Sequence, residues 1–198
     1  CLIDTFRIDY YTSGNSQPYE NVLLAISNGI LYRSTIGGHM TAVANTNSCN
    51  FATDRLIHMV DYQQKAYIAD CGNPKASGTD GAQGSGTDKF DSASYSDWTT
   101  LSIDTNNDCL EIYEVTGAMI AGVYRITSVA SGELTTSPAC NAGAGTGKFR
   151  IMRAPKIYDP ATDTISIWTA TSGYGAVPLG CPLIAVYLDT IMLAGAPH

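Results

Sequence analysis

Four times along the chain a short apolar run climbs to a tight polar turn and returns as a second β-prone run. The clearest case is residues 22–27 (Val-Leu-Leu-Ala-Ile-Ser), then Asn28-Gly29, then residues 30–35 (Ile-Leu-Tyr-Arg-Ser-Thr). Asn-Gly between two such runs is the strongest short hairpin code, because both residues accept the positive φ of a type I′ turn. The other three are 56–62 and 65–69 around Gln63-Gln64, 156–158 and 164–169 around residues 159–163, and 183–187 and 190–194 around Leu188-Asp189. Nowhere does apolar i, i+3, i+4 spacing persist between caps, so helix is expected to be nearly absent.

The residue inventory agrees. The chain holds 17 Ile, 8 Val, 21 Thr and 12 Tyr against only 4 Glu, a β-prone bias. Only 15% of residues are charged, against about 25% in an ordinary soluble domain. A coiled coil, a helical bundle, a collagen-like chain and a wholly disordered tail are excluded. The 198 residues suit one domain, or a domain carrying an inserted one. A net charge of -7 without a Lys/Arg cluster argues against gripping phosphates. No apolar run approaches the roughly 18 residues of a membrane span, and no cationic stretch precedes an apolar one as in a signal peptide. The sequence opens at Cys1 rather than Met and closes on Ala196-Pro197-His198 without a polar tail, which reads as a piece of something longer.

Turn centres fall near residues 28, 63, 162 and 189. Repeated short antiparallel units point to a propeller-like or sandwich-like assembly, and the long gap between the second and third turns marks an insertion. The expected organisation is hairpins over 1–71, an exposed loop over 72–97, an inserted small β-barrel or sandwich module over 98–153, and further hairpins over 154–198. The loop reading rests on composition: 72–97 is rich in Gly, Ser, Asp and Thr, and beside Phe90 and Tyr95 it offers little to build a core. The module reading rests on five runs, 100–104, 110–115, 122–129, 133–136 and 148–152, in which apolar residues alternate with polar ones.

Each candidate for chemistry has a plainer explanation. Residues 142–148 (Ala-Gly-Ala-Gly-Thr-Gly-Lys) look like a phosphate loop, but Ala142 and Phe149 break the pattern and no helix follows, so a flexible β-turn is expected. Asp104, Asn106 and Asp108 open like a calcium loop, yet Cys109 and Val115 stand where Gly and Glu are needed. An Asx-rich turn accounts for the same letters. His39, His58 and His198 form no ligand spacing. No G-x-S-x-G elbow exists, and most of the 14 Asp adjoin turn-forming residues rather than making an acid pair. The aromatics Tyr67, Tyr158, Trp168 and Tyr187 suit cross-strand packing more than sugar stacking. Cys1, Cys49, Cys71, Cys109, Cys140 and Cys181 contain no CxxC, and reduced thiols, buried or half-buried, are expected. No catalytic, cofactor-binding or metal-ligating residue is assigned, and no cofactor.

Several phrases together resemble one family. They are residues 28–33 (Asn-Gly-Ile-Leu-Tyr-Arg), 64–74 (Gln-Lys-Ala-Tyr-Ile-Ala-Asp-Cys-Gly-Asn-Pro), 122–129, 149–160 and 184–195 (Ile-Ala-Val-Tyr-Leu-Asp-Thr-Ile-Met-Leu-Ala-Gly). They look like the propeller-bearing structural proteins of tailed bacteriophage virions, of the tail nozzle and tail tube kind. That resemblance implies a virion-located, non-catalytic, ring-forming component whose partners are copies of itself and neighbouring tail proteins. Thr190 stands where the family phrase often carries Arg, so no role of that Arg transfers. Were the piece to line a DNA passage, its acidity would repel phosphates without reading sequence. Two further readings stay open: an adhesin contacting host glycans through loop 72–97 with Tyr95 and Trp98, and a glycosidase built on an acid pair.

Overall fold

The computed structural model describes residues 2–4, 10–11, 19–20, 22–34, 38–44, 49–169 and 176–195. These divide into two compact units, Cys1–Gly72 with Pro155–Trp168 and Gly180–His198, and Asn73–Ala154 with Thr169–Leu179. Strands dominate both, and the described residues contain no α-helix.

In the first unit, strands β1 (Leu2–Asp4), β2 (Tyr10–Tyr11), β3 (Tyr19–Glu20), β4 (Leu24–Ser27), β5 (Ile30–Ser34) and β6 (Met40–Ala42) come first. They form a four-stranded sheet in the order β1-β4-β5-β6 and a separate β2-β3 ribbon. Strands β7 (His58–Tyr62) and β8 (Lys65–Ala69) follow. The chain then leaves for the second unit: β9 (Ala76–Gln83), β10 (Lys89–Ser92), β11 (Asp108–Met119), β12 (Gly122–Val129), β13 (Leu134–Ser137) and β14 (Asn141–Arg153). It returns as β15 (Lys156–Asp159) and β16 (Thr164–Ile167), and runs on to β17 (Leu183–Tyr187) and β18 (Thr190–Ala194). Strands β7, β8, β15 and β16 are neighbours in that order in one antiparallel sheet, and strands β9 to β14 lie in the chain between its two middle strands, β8 and β15.

All four hairpins expected from the sequence are present. In three of them both central turn residues take positive φ: Asn28 (50°) and Gly29 (77°), Gln63 (47°) and Gln64 (63°), Leu188 (44°) and Asp189 (61°). That is the turn whose twist matches its flanking strands. Gly29 has a second duty. Its carbonyl accepts from the Phe51 amide at 3.0 Å, and a Cβ there would stand 3.0 Å from the Phe51 carbonyl oxygen.

Strand pairing puts Leu24, Ile26 and Leu31 on one face of the first sheet, and Met59, Ala66, Ile68, Tyr158 and Ile165 on one face of the second. These residues share one buried cluster with Val22, Val43, Phe51 and Ile57. Two polar devices sit on the same side. Lys156, fully buried, places its Nζ 2.6 Å from Asp70 Oδ2 and 5.1 Å from the centre of the Phe51 ring, while Asp70 also accepts from the Ala52 amide. Arg33 donates to Tyr158 and to Asp163, and the Tyr158 hydroxyl donates to Asp163 at 2.9 Å. Burial pushes the Tyr158 phenol well above its ordinary pKa, so it keeps the proton it donates.

The second unit is a closed six-stranded barrel in the order β10-β13-β12-β11-β14-β9. Here three sequence expectations are corrected. Residues 72–97 are not an exposed loop: they supply β9 and β10, two of the six barrel strands, with Phe90 wholly buried. The glycines that make this segment look like loop are what fits it to the barrel. A Cβ on Gly78 would lie 2.7 Å from the Phe149 ring, and one on Gly81 would lie 2.8 Å from the Phe90 ring. Residues 142–147 are likewise strand, paired with β11 and β9, rather than a turn. A Cβ on Gly145 would meet the backbone of Thr116 and Met119 across a register shift in β11, so glycine is required by close approach. Third, residues 100–104 form no strand. A 3₁₀ turn, Trp98–Leu101, is capped by Asp97, whose carboxylate accepts from the Thr99 amide at 2.9 Å.

Phe90, Trp98, Leu110, Ile112, Ile126, Leu134, Phe149 and Ile151 belong to one buried cluster, in which the Trp98 ring meets Phe90 and Phe149. The Trp98 ring stacks on Tyr95 at 4.9 Å and donates from Nε1 to Asp91 at 3.4 Å. Of the two register shifts along β11, the one between Tyr113 and Thr116 contains Glu114, which takes φ 48°.

Candidate functional site

Among the described residues no group of three or more His, Cys, Asp or Glu is arranged to hold a metal ion. The calcium-like loop shows how its acids are used instead. Asp104 Oδ1 accepts from the Asn106 amide at 2.9 Å and Oδ2 from Asn107 Nδ2 at 2.7 Å. The Asp104 carbonyl accepts from the amides of Asn107 and Asp108, and the Asp104 amide donates to Asp108 Oδ2 at 2.7 Å. The same Asp108 oxygen lies 2.7 Å from Lys75 Nζ, which also donates to the Ser102 carbonyl at 2.5 Å. An internal ammonium thus neutralises the buried Asp108 carboxylate. It ties the start of β9 to the turn that starts β11.

That clasp gives a first prediction. Asp108 is fully buried while Lys75 retains 26% of its side-chain exposure. Lys75→Met therefore strands a buried carboxylate that water only partly reaches, and is expected to cost about 2 kcal/mol. Urea unfolding checks this, read as a fall in the midpoint with an unchanged slope.

The Gly-rich stretch at 142–147 offers no helix N-terminus to an anion, since it is part of strand β14, pairing with β11 through Gly145 and Thr146 and with β9 through Thr146 and Gly147. His58 lies exposed on β7 and His39 exposed just before β6; His198 lies outside the described residues. Cys49, Cys71, Cys109, Cys140 and Cys181 are buried thiols, and Cys1 lies outside the described residues. Burial pushes the Cys71 thiol upward, the opposite of what a nucleophile requires. The acids Glu111, Glu114, Asp159 and Asp163 each pair with a base, Arg150, Lys148, Lys65 and Arg33 in turn.

The aromatics divide sharply. Trp98 and Tyr158 have no exposed surface, so neither can offer a ring to a sugar. Tyr95 is half-buried, with its hydroxyl tied to the Ser77 amide and carbonyl at 3.1 Å each. Tyr67 packs edge-on against Trp168 at 4.9 Å. Tyr187 alone among these stands well out, 64% exposed.

Tyr187 belongs to the surface that sequence reasoning missed. In the β17–β18 ribbon, Leu183 pairs with Ala194, Ala185 with Met192, and Tyr187 with Thr190, so these six share one face. All six are exposed, Leu183 at 52% and Met192 at 53%. The opposite face carries Ile184, at 9% exposure, with half-buried Ile191 and Leu193 and exposed Val186. Strand β17 runs alongside β7 and β8, and Tyr62 on β7 donates to the Asp189 carbonyl at 2.7 Å. From 183 to 195 the only charged residue is Asp189, at the turn.

Set against family models, curated proteins and solved structures, the chain matches none. Function is therefore argued from the molecule itself. The first sheet presents a second face of similar character. Ala25, Tyr32 and Ala42 lie side by side on it, with the pairs Ser27–Ile30 and Ser34–Met40 above and below. No charged residue is among these seven. The hint for both faces was present in the sequence, as strands whose outward positions are apolar where solvent-facing strands carry polar residues.

Proposed function

We propose that the chain is a non-catalytic structural component of a phage tail, working through packed β faces in an oligomeric assembly. The observation that carries this is the succession of sheets: the antiparallel sets follow one another along the chain, apart from the β2–β3 ribbon inside the first and the guest barrel inside the second. Sheets laid down in chain order are what a propeller builds from, blade after blade. The propeller-like arrangement is therefore part of the proposal, as are virion location and partnership with identical copies and neighbouring tail proteins. An uncharged outer ribbon supports assembly by burial rather than by ion pairing. Net acidity supports tolerance of passing DNA without retention.

Electron microscopy of the full-length protein tests this. Ring-like multimers are expected; a protein that stays monomeric at high concentration overturns the reading. The adhesin alternative named Tyr95 and Trp98 as contacts; Trp98 is fully buried, while Tyr95 is half-buried.

A further inference from the structure

We infer that Lys156 and Asp70 become joined by a covalent amide bond, Nζ to Cγ, which the fold itself brings about. This goes beyond the assembly reading and does not depend on it. Neither side chain has any exposed surface, and Nζ stands 2.6 Å from Asp70 Oδ2. Lys156 lies two residues before Tyr158 on β15, so both side chains share the buried face of that strand. The register sets Lys156 opposite Ile68 on β8, two residues before Asp70. Paired strands therefore hold the two reacting groups in place.

Proximity is the first feature that suits this contact to condensation. A nitrogen in hydrogen-bond contact with Oδ2 is one carbon–oxygen bond from Cγ, close to the roughly 3–3.5 Å of a near-attack arrangement. Polarisation is the second. The Ala52 amide donates to Asp70 Oδ1 at 3.1 Å, the oxygen that gathers negative charge as nitrogen adds to Cγ, and a fixed N–H there stabilises it. Exclusion of water is the third. The centre of the Phe51 ring lies 5.1 Å from Nζ, within a cluster that holds Ile57, Met59 and Ile68. In water, solvation of the separate ammonium and carboxylate opposes amide formation; burial withdraws that solvation and shields the product from hydrolysis.

The step balances without a co-reactant. The ammonium passes one proton to Oδ2 along their hydrogen bond, which leaves a neutral amine and a carboxylic acid. The nitrogen lone pair adds to Cγ, and the carbonyl electrons move to Oδ1. A second proton then moves from nitrogen to the Oδ2 hydroxyl. The Cγ–Oδ2 bond breaks, one water leaves, and the carbonyl at Oδ1 is restored. Nothing is oxidised or reduced. Because water must be expelled from a packed interior, the reaction is slow beside folding. Freshly folded protein holds the ion pair, and the amide accumulates afterwards.

The two residues are 86 apart in sequence, and strands β9 to β14 lie between them. The amide thus closes a covalent loop around the guest segment and ties β8 to β15. It restricts the unfolded chain as a long-loop disulfide does, with no need of an oxidising compartment.

Mass spectrometry of the full chain, kept folded at neutral pH and sampled over days, tests this. A species lighter by one water is expected to grow in. Trypsin should then release residues 66–75 joined to residues 154–198, since an acylated Lys156 is no longer a cleavage site. Lys156→Met and Asp70→Ala should each keep the full sequence mass, and so should wild type held unfolded in guanidinium. Folded wild type that retains its full mass overturns the inference. So does a water loss that fragment ions place elsewhere, for example as a cyclic imide at Asp80-Gly81. Equal loss in guanidinium overturns it as well, because the fold would then not be what joins the pair.

Discussion

Replacing Asp70 with alanine is expected to lower the unfolding free energy by about 3–5 kcal/mol. Asp70 and Lys156 are both wholly buried, 2.6 Å apart. Removing the carboxylate leaves an ammonium in a cluster of Phe51, Ile57, Met59 and Ile68, where desolvation of a charge lacking its counterion is severe. The Phe51 ring, 5.1 Å away, contributes on the order of 1–2 kcal/mol of attraction at most. It cannot replace the lost partner. Removing both charges behaves differently: the double variant Asp70→Leu with Lys156→Met should lie within about 1 kcal/mol of wild type or above it, since neither charge remains to be desolvated. Guanidinium titration of the two variants checks this. If the double variant is as unstable as Asp70→Ala, the pair is not what makes the single change costly.

Trp98→Ala is expected to cost about 3–5 kcal/mol and to unfold the barrel rather than the hairpin sheets. The indole is fully buried and meets Phe90 at 6.0 Å, Phe149 at 5.9 Å and Tyr95 at 4.9 Å between ring centres. Truncation opens a void at the junction of the 3₁₀ turn with β10 and β14, and deprives Asp91 of a donor. Amide exchange should show the loss of protection in β9–β14 while β7, β8, β15 and β16 keep theirs. Protection retained throughout the barrel would show that the surrounding rings close over the gap, and would refute the assigned role. The same experiment bears on the adhesin reading, for which Trp98→Ala should remove glycan affinity while leaving the fold intact.

Much of the first unit was legible in the sequence, and the reason is local. A type I′ turn is specified by two residues that tolerate positive φ, and Asn28-Gly29 announces it within four positions. Strands that flank such a turn inherit their register from it, so Ile26 opposite Leu31 and Val60 opposite Tyr67 follow directly. The barrel was only half legible. Strand β12 falls exactly on the run 122–129 because its apolar alternation is self-contained. Strand β9 has no such pattern: its eight residues, Ala-Ser-Gly-Thr-Asp-Gly-Ala-Gln, hold no apolar side chain larger than alanine.

By itself the sequence determined the class, the hairpins and the absence of helical periodicity, for each is written in the φ preferences and side-chain alternation of a few adjacent residues. Tertiary structure alone decided that Gly78 and Gly81 are strand, since the rings that need their missing side chains, Phe149 and Phe90, come from other strands of the barrel. It alone decided that Lys75 serves Asp108, 33 positions on by residue number, and that Lys156 is buried beside Asp70. A glycine or a lysine carries no record of what will stand across from it. That is fixed only when distant strands are brought within a few ångströms, where close packing and the cost of burying charge choose the partner.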